Sequence, residues 1–298
     1  MRSRLIVHVD DYGVTENYSR NVLEAIERNV VDSISILPNG QYFETSMKML
    51  EPYLTRVKVS VHLNLVEGFP LSKDSSLLIL SSGEFKLGFL NLILFPLLHS
   101  KIKVLNFRTQ IKKELKLQIE MVLQSMPAGS VVSLDSHRHI HLIPFLFDIV
   151  VELAEEYQLS KIRIIDEPFY LCIKPLKNAK AYLNGNVFKH FIIKFLSLLA
   201  TLKLNALEKN KFHDKNEKFL GILFSDLMAV SNIKKGLSCL QGYTVRVLLH
   251  SGVMLPNESY NGSNIAFSSY YQSINRINER NEILSDDFQH LYIQINKS

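Results

Sequence analysis

Acidic and imidazole side chains recur at four places, each directly after a short apolar run. Carboxylates and imidazoles are the side chains that bind divalent metals and exchange protons near neutral pH. In parallel α/β folds, groups at the carboxyl ends of strands converge on one pocket. The sequence therefore predicts a catalytic or metal-binding pocket built from four separate stretches: Asp10-Asp11, His62, the run Asp135-Ser-His137-Arg-His139-Ile-His141, and His250.

Asp10 and Asp11 are adjacent carboxylates, which would repel each other if both were buried without a cation. A divalent metal would neutralise one and leave the other to act as a base, because neighbouring residues point in different directions. Gly13 permits a tight turn beside the pair, and Thr15 is a predicted N-cap for the helix that follows. The structural alternative is a strand-to-helix turn with an acidic cap.

Histidines supply the other predicted metal ligands. His62 ends an alternating strand, where a neutral imidazole suits a metal. His137, His139 and His141 would face one way if their strand continued, so at least one is predicted to bind metal or substrate. Asp135 could orient a ligand imidazole. Two histidines with one carboxylate leave positions open for water and substrate, which suits Lewis-acid hydrolysis.

Two further residues have predicted roles in the reaction. His250 is a candidate acid, and Arg163 is a candidate partner for a carboxylate or a developing oxyanion. The sequence contains no P-loop, no dinucleotide-binding glycine motif and no nucleophile-elbow serine. Nucleotide-driven chemistry and serine hydrolysis are therefore disfavoured.

These residues need a scaffold in which strands alternate with helices. Short apolar runs alternate with helical patterns, which predicts βαβ units and an α/β barrel-like fold with mostly parallel strands and outer helices. An open doubly wound sheet is the second choice. Helices are predicted at 108–123, 145–157, 188–207 and 273–284. The seven predicted strands span residues 5–9, 33–37, 57–65, 131–134, 162–165, 244–249 and 291–295.

The composition limits the class of protein and the kinds of metal site that the chain can form. The 298 residues carry a formal charge of +5, and 47% are hydrophobic, which is typical of a globular protein. No linker divides the chain, so one catalytic domain over residues 1–298 is predicted, as a cytoplasmic protein without a signal peptide. Two cysteines, Cys172 and Cys239, exclude a cysteine-based zinc site, so any metal must bind His, Asp or Glu.

Positive charge concentrates in two predicted basic helical insertions, near residues 86–120 and 182–218. Their apolar content favours a membrane surface or an anionic partner over nucleic acid. The apolar stripe within 188–207 would serve equally well as core packing, and flotation with anionic vesicles separates the two interpretations. A homodimer is compatible with the sequence.

The motifs resemble those of the YdjC-like carbohydrate deacetylases, which include chitooligosaccharide and hopanoid-associated members. The resemblance covers residues 5–284, and the motifs that carry it are Asp10-Asp11-Tyr12-Gly13, Val61-His62-Leu-Asn-Leu65, Leu134-Asp135-Ser-His137-Arg-His139-Ile-His141 and His250-Ser-Gly252.

The resemblance implies a deacetylase barrel with one divalent metal, Mg²⁺ or Zn²⁺, that acts on an acetylated amino sugar. It implies that Asp11, His62 and His137 hold the metal, that Asp10 is the base and that His250 is the acid. Asp135, His139, His141 and Arg163 are then candidates for substrate binding or for support of the ligands. The segment 188–218 looks like that of the hopanoid-associated branch, which makes a lipid-linked sugar a candidate substrate.

Two stretches depart from the family pattern. Ser251 follows the late histidine where proline is common. After Arg163 the family often has a proline two residues on and then a glutamate, whereas this chain has Arg163-Ile-Ile-Asp166-Glu167-Pro168. Two other functions remain open at this stage. One is a phosphoesterase with two metals and His139 or Glu167 as extra ligands. The other is a non-catalytic glycan- or lipid-binding protein.

Overall fold

The computed structural model describes residues 3–172, 179, 181–260, 262 and 264–297, in which a six-stranded parallel sheet curls into a half-barrel. The order across the sheet is β4-β3-β2-β1-β6-β5. The predicted α/β class with surrounding helices is thereby confirmed. The strands are β1 Arg4–Tyr12, β2 Ser33–Ile36, β3 Lys58–Leu63, β4 Val132–Ser136, β5 Glu217–Leu220 and β6 Thr244–Leu249.

Helices cover the convex side and both edges of the sheet. The predicted N-cap Thr15 accepts a hydrogen bond from the Tyr18 amide and starts the first helix. The four predicted helices are all found, with ends that differ by a few residues. The described helices are α1 Glu16–Glu27, α2 Phe43–Leu50, α3 Phe89–Leu98, α4 Lys101–Gln124, α5 Pro144–Glu156, α6 Asn186–Ala206, α7 Val230–Ser238, α8 Ile265–Tyr271, α9 Ile274–Ile283 and α10 Asp286–Lys297.

An extended segment, residues 161–166, fills the gap between the two sheet edges. On one side it forms a single parallel bridge to β4, in which the Arg163 amide donates to the Leu134 carbonyl at 2.9 Å. On the other side the Phe219 amide of β5 donates to the Asp166 carbonyl at 3.1 Å. The predicted strand at 162–165 is therefore a linking segment, and through it the half-barrel is nearly closed.

One predicted strand was wrong and one strand was missed. Residues 291–295 belong to helix α10, whose buried side chains Phe288 and Leu291 are three residues apart, as on one helix face. Residues 217–220 form β5, which the sequence analysis missed because Glu217-Lys-Phe-Leu220 is too short and too polar to show a strand period. Of the described helices, none combines the length and apolar content needed to cross a membrane.

Candidate active site

A cavity of about 480 Å³ opens at the carboxyl ends of the strands. Strand order explains why distant residues meet there, since β1 lies beside β6 and β3 lies beside β4. Three predicted residues, Asp135, His141 and Arg163, lie behind the cavity wall rather than in it. Six of the predicted residues line the cavity itself: Asp10, Asp11, His62, His137, His139 and His250.

Asp11 lies at the centre of one cluster. Its backbone has φ 65°, a left-handed conformation that turns the side chain away from the line of β1. Asp11 Oδ1 is 3.1 Å from His62 Nε2 and 2.9 Å from His137 Nδ1. The hydroxyl of Tyr271 donates to Asp11 Oδ2 at 2.5 Å. One carboxylate oxygen and two imidazole nitrogens therefore converge on a single point inside the protein.

The hydrogen bonds of the two imidazoles fit a cation at that point. Asp135 Oδ1 accepts from His62 Nδ1 at 2.6 Å, so a neutral His62 presents the lone pair of Nε2 to Asp11. Two lone pairs facing each other are unfavourable unless a cation lies between them. His137 Nε2 is buried and has no hydrogen-bond partner among the described residues. These three donors therefore form a set suited to a divalent metal.

A proton on His62 is the alternative to a cation at this point. Burial lowers the pKa of the imidazole, but the carboxylates of Asp10, Asp11 and Asp135 outweigh burial and raise it to about 10. Burial likewise opposes ionisation of Asp11, yet the two imidazoles hold its pKa well below the usual range. A bound divalent cation would displace the second proton of His62 and take over its role in neutralising Asp11.

Asp10 belongs to a second cluster that already contains a cation. Arg163 donates from Nη1 to Asp10 Oδ2 at 2.9 Å and from Nη2 to Asp10 Oδ1 at 2.8 Å. The same guanidinium lies 2.6 Å from Asp135 Oδ2 and 2.5 Å from His8 Nε2. His8, Asp10 and Asp135 also have the spacing of a metal site, but the guanidinium contacts all three of them. The second cluster therefore already has a cationic group at its centre.

Arg163 sets the ionisation of this second cluster. Burial opposes a charge on Asp10, but the guanidinium outweighs it and holds the pKa of Asp10 well below normal. The balance is the same at Asp135, where the pKa falls to about 2. Burial, and then Arg163, lower the pKa of His8 to about 4, so His8 is neutral. Asp10 is thus an ionised carboxylate at the cavity, held in place by Arg163.

The histidine run does not continue β4 as a strand, so the condition under which its three histidines would face one way is not met. The strand ends at Ser136, and residues 137–142 form a 3₁₀ turn in which Arg138 and His139 have positive φ. His139 lines the cavity, and its buried Nδ1 has no partner among the described residues. His141 points away from the cavity and bonds Ser136 Oγ at 2.6 Å and the Arg163 carbonyl at 2.8 Å.

His250 approaches the Asp11 cluster from the end of β6. Its Nε2 lies 3.6 Å from Asp11 Oδ2, and its Nδ1 lies 3.7 Å from Glu279 Oε1. Glu279 also accepts the backbone amide of His250 at 2.7 Å. Arg276 is fully buried in helix α9, which also carries Glu279. It lies 2.8 Å from Glu279 and also pairs with Asp226. An acid behind the imidazole, itself held by an arginine, fixes the position of His250.

Sequence reasoning missed several residues of this site. His8 was detectable, because it lies two positions before Asp10 and so shares its face of β1. Glu279 and Arg276 are three apart on α9, but nothing local in the sequence ties them to His250. Glu167 was considered as an extra metal ligand. Its carboxylate instead accepts the backbone amides of residues 221, 222 and 223 at 2.8 to 3.0 Å.

Comparisons with known proteins place the chain in a family. A family model described as YdjC-like protein matches residues 4–294. The chain is 27% identical over 177 residues to a carbohydrate deacetylase of Xenopus laevis and 31% identical over 157 residues to one of Brevibacillus brevis. It is 26% identical over 189 residues to carbohydrate deacetylase 1 of Listeria innocua.

The three matches cover 57%, 52% and 62% of this chain, and 54%, 57% and 72% of the relatives. The chain thus spans little more than half the length of the first two. A crystal structure from Enterococcus faecalis V583, whose name refers to cellobiose-phosphate cleavage, superposes with a TM-score of 0.65 at 18% identity. That superposition covers 99% of this chain and 96% of the other, and at this identity it shows a common fold.

Proposed function

The chain belongs to the YdjC-like protein family, and from this premise we propose that it is a metal-dependent hydrolase that removes the N-acetyl group of an acetylated amino sugar. The observation that carries the proposal is the convergence of Asp11, His62 and His137 beside Asp10 and His250 in one cavity. The names of the curated relatives, carbohydrate deacetylases, support the class of substrate and the bond that is cleaved.

Asp11, His62 and His137 would hold one divalent metal, Mg²⁺ or Zn²⁺. When bound, such a metal supplies Lewis-acid polarisation and lowers the pKa of water. The protein's own contribution is to pre-orient the donors. Asp135 fixes the ring of His62, and Tyr271 fixes the second oxygen of Asp11.

Asp10 is the proposed base. Arg163 keeps this carboxylate ionised and fixed in orientation, and each of its oxygens retains a lone pair beyond the bond to the guanidinium. Asp10 therefore accepts a proton from water as the water attacks the acetyl carbonyl. Asp10 is adjacent to Asp11 in the chain and both line the cavity, so the proposed base lies beside a proposed metal ligand.

His250 is the proposed acid. Its imidazole lines the cavity close to Asp11, and Glu279 lies behind its Nδ1. A protonated His250 would deliver a proton from Nε2 to the departing nitrogen, and acetate and a free amine would leave. The aromatic rings of Phe267 and Tyr270 form part of the same wall and offer apolar faces to a sugar ring.

The two other functions fit the structure less well. A two-metal phosphoesterase needs a second group of free ligands, but Arg163 contacts each member of the second cluster and Glu167 binds backbone amides. Of the extra ligands named for it, His139 alone has an unpartnered ring nitrogen among the described residues, and one ligand does not make a second metal site. A non-catalytic glycan-binding protein would not need an ionised base and a positioned acid on either side of a metal-type cluster. Both observations favour the deacetylase.

Acetate release from N,N′-diacetylchitobiose, together with bound metal per chain, tests the proposal. Asp11→Ala and His137→Ala are expected to lose metal and activity together. Asp10→Asn is expected to keep the metal and to lose about 10²- to 10⁴-fold in kcat, the usual contribution of a general base. Asp74→Asn, an exposed aspartate in a surface ion pair, is the matched control. Undiminished acetate release by metal-stripped Asp10→Asn protein would refute the proposal.

A further inference from the structure

Helix α6 is apolar on two opposite sides. One side packs inward through residues that include Ile193, Leu196 and Ala200. A second row of large apolar side chains, spaced three and four residues apart, lies on the outer side. Phe191 stacks on the ring of Phe169, which is itself exposed. The side chains of this row are between 54% and 72% exposed: Phe188, Phe191, Phe195, Leu198 and Leu202.

A second exposed apolar surface lies where α3 meets α4. Both α3 and α6 pack against the turn at residues 137–142 and against α5, so the two surfaces border the same end of the molecule. Soluble proteins rarely leave apolar side chains of this size in contiguous groups without a binding role. The exposed residues of this second surface are Leu90, Leu94, Leu97, Leu98, Ile102 and Leu105.

The charges beside these surfaces select the partner. Helix α6 carries three lysines and no acid, and residues 86–113 carry six basic residues and no acid. Lys101, Lys103 and Lys194 have no acidic partner among the described residues. Lys189 interacts with Asp226 and Glu167 and lines the cavity, and acids elsewhere in the chain pair with Arg108, Lys112, Lys113 and Lys203. Two copies of such a cationic face would repel each other, whereas an anionic bilayer surface would attract both its charges and its apolar side chains.

The cavity opens onto this face. Phe188 is part of the exposed row of α6 and also lines the cavity. Ile192, one turn further along the helix, lines the cavity too. Phe89, the first residue of α3, lines the opposite wall. An apolar path therefore runs from the proposed catalytic groups to the exposed surfaces.

We propose that the outer faces of α3, the start of α4 and α6 form a docking surface for an anionic membrane, and that the substrate is an amphiphile. Its acetylated amino sugar would occupy the cavity, and its apolar tail would leave past Phe89, Phe188 and Ile192. The proposal of membrane docking rests on the exposed surface alone. The substrate part rests on the proposed deacetylation.

Flotation with vesicles tests docking. The full chain is expected to float with vesicles of phosphatidylcholine and phosphatidylglycerol at low salt, and to bind less at high salt or to phosphatidylcholine alone. The variant Phe195→Ser/Leu198→Ser/Leu202→Ser, which leaves the cavity lining intact, is expected to lose at least about tenfold in partitioning. Lys101→Gln and Lys103→Gln are each expected to lose about fivefold.

Ile274→Ser/Ile277→Ser/Ile293→Ser is the matched control, because it removes three exposed apolar side chains from α9 and α10, away from this face. Its vesicle binding is expected to equal that of the wild type. An equal loss in the control variant, or no flotation of the wild type at low salt, would overturn docking. A wild-type dimer that the α6 variant dissociates, without vesicle binding, would assign the face to a second copy and also overturn it.

Acetate release tests the substrate part. With an N-acetylglucosaminyl glycolipid in anionic vesicles, the α6 variant is expected to lose about tenfold in kcat/KM. With soluble N,N′-diacetylchitobiose it is expected to match the wild type. Equal losses on both sugars, or no loss on either, would overturn the amphiphilic substrate. Absence of acetate release from both sugars would refute the proposed function, while flotation would still decide docking.

Discussion

At the scale of single residues, the position of His250 depends on groups outside the cavity. Glu279 accepts a hydrogen bond from the backbone amide of His250. It also lies 3.7 Å from Nδ1, the ring nitrogen that faces away from Asp11. Glu279 and Arg276 are almost completely buried, and the guanidinium also lies over the ring of Tyr270. The distance of 3.7 Å from Glu279 Oε1 to His250 Nδ1 is too long for a hydrogen bond, but the bond from the backbone amide ties His250 to Glu279. Glu279 is therefore a positioning residue for His250.

Glu279→Gln is expected to lower kcat about 10- to 100-fold with little change in KM, because the substrate does not contact Glu279. Steady-state kinetics on the soluble sugar would measure this, with thermal unfolding recorded in parallel. Glu279→Asp is expected to restore part of kcat. Glu24→Gln, which removes an exposed glutamate from its pair with Arg280, is the control. A loss in KM alone, or a loss in kcat that follows protein unfolding, would contradict the positioning role.

At the scale of elements, the loop after β6 packs against helix α1 through a glycine. A Cβ at Gly252 would lie 2.3 Å from the ring of Tyr18. The Tyr18 hydroxyl in turn donates to the Asp10 carbonyl at 2.8 Å. The loop that follows the proposed acid and the strand end that carries the proposed base therefore share one tightly packed contact.

Gly252→Ala is expected to lower the free energy of unfolding by about 1–3 kcal/mol, the usual cost of overpacking a buried contact. It is also expected to reduce kcat, because the clash displaces either Tyr18 or the residues next to His250. Urea denaturation and acetate release would measure the two effects. Gly88→Ala is the control, since a Cβ there meets nothing within 4 Å. Equal stability of the two alanine variants would be inconsistent with this packing.

The sequence predicted an element well where neighbouring residues determine its structure, and poorly where contacts with distant residues do. The strands that carry Asp10, His62 and His250 are recognisable from short apolar runs, so the convergence of these residues followed from the sheet rule alone. The shape of the run at 137–142 did not, because its positive φ angles arise from tertiary contacts such as the bond of His141 to the Arg163 carbonyl. Strand β5 depends on long-range pairing in the same way.

Strand β5 is tied to its neighbours by a partly buried acid, Glu217. Glu217 pairs with Arg246 of β6 at 2.8 Å and with Lys161 of the linking segment at 3.0 Å. Burial opposes its ionisation, but Arg246 and Lys161 outweigh burial and lower the pKa of Glu217 to about 2. Because folding lowers this pKa, the ion pair stabilises the fold above about pH 4.5 and loses that effect as the pH falls toward 2.

Glu217→Gln is therefore expected to reduce the dependence of stability on pH in the acid range. The wild type should lose up to about 3 kcal/mol more than the variant between pH 7 and pH 2. Denaturant unfolding at a series of pH values would measure this difference. Glu16→Gln, which breaks an exposed pair with Arg20, should leave the wild-type dependence nearly unchanged. Parallel curves for wild type and Glu217→Gln would contradict this role of Glu217.

At the scale of the whole molecule, the proposed metal site joins three strands that are far apart in sequence. Asp11 ends β1, His62 lies near the end of β3, and His137 directly follows β4. In the unfolded chain these side chains are separated by 51 and 75 residues, so the complete donor set exists only in the folded protein. A ligand that binds only the folded state stabilises it according to its concentration relative to Kd.

Metal removal is therefore expected to lower the melting temperature of the whole chain. At a metal concentration of about 100 times Kd, the loss is about 2.7 kcal/mol. That loss corresponds to a shift of roughly 5 °C for a chain of this size. Differential scanning calorimetry with a chelator, and then with Mg²⁺ or Zn²⁺ restored, would measure it. His137→Ala should abolish the metal-dependent part of the shift, whereas Asp10→Asn should keep it, because Asp10 pairs with Arg163. A metal-dependent shift that survives in His137→Ala would place the ion elsewhere in the protein.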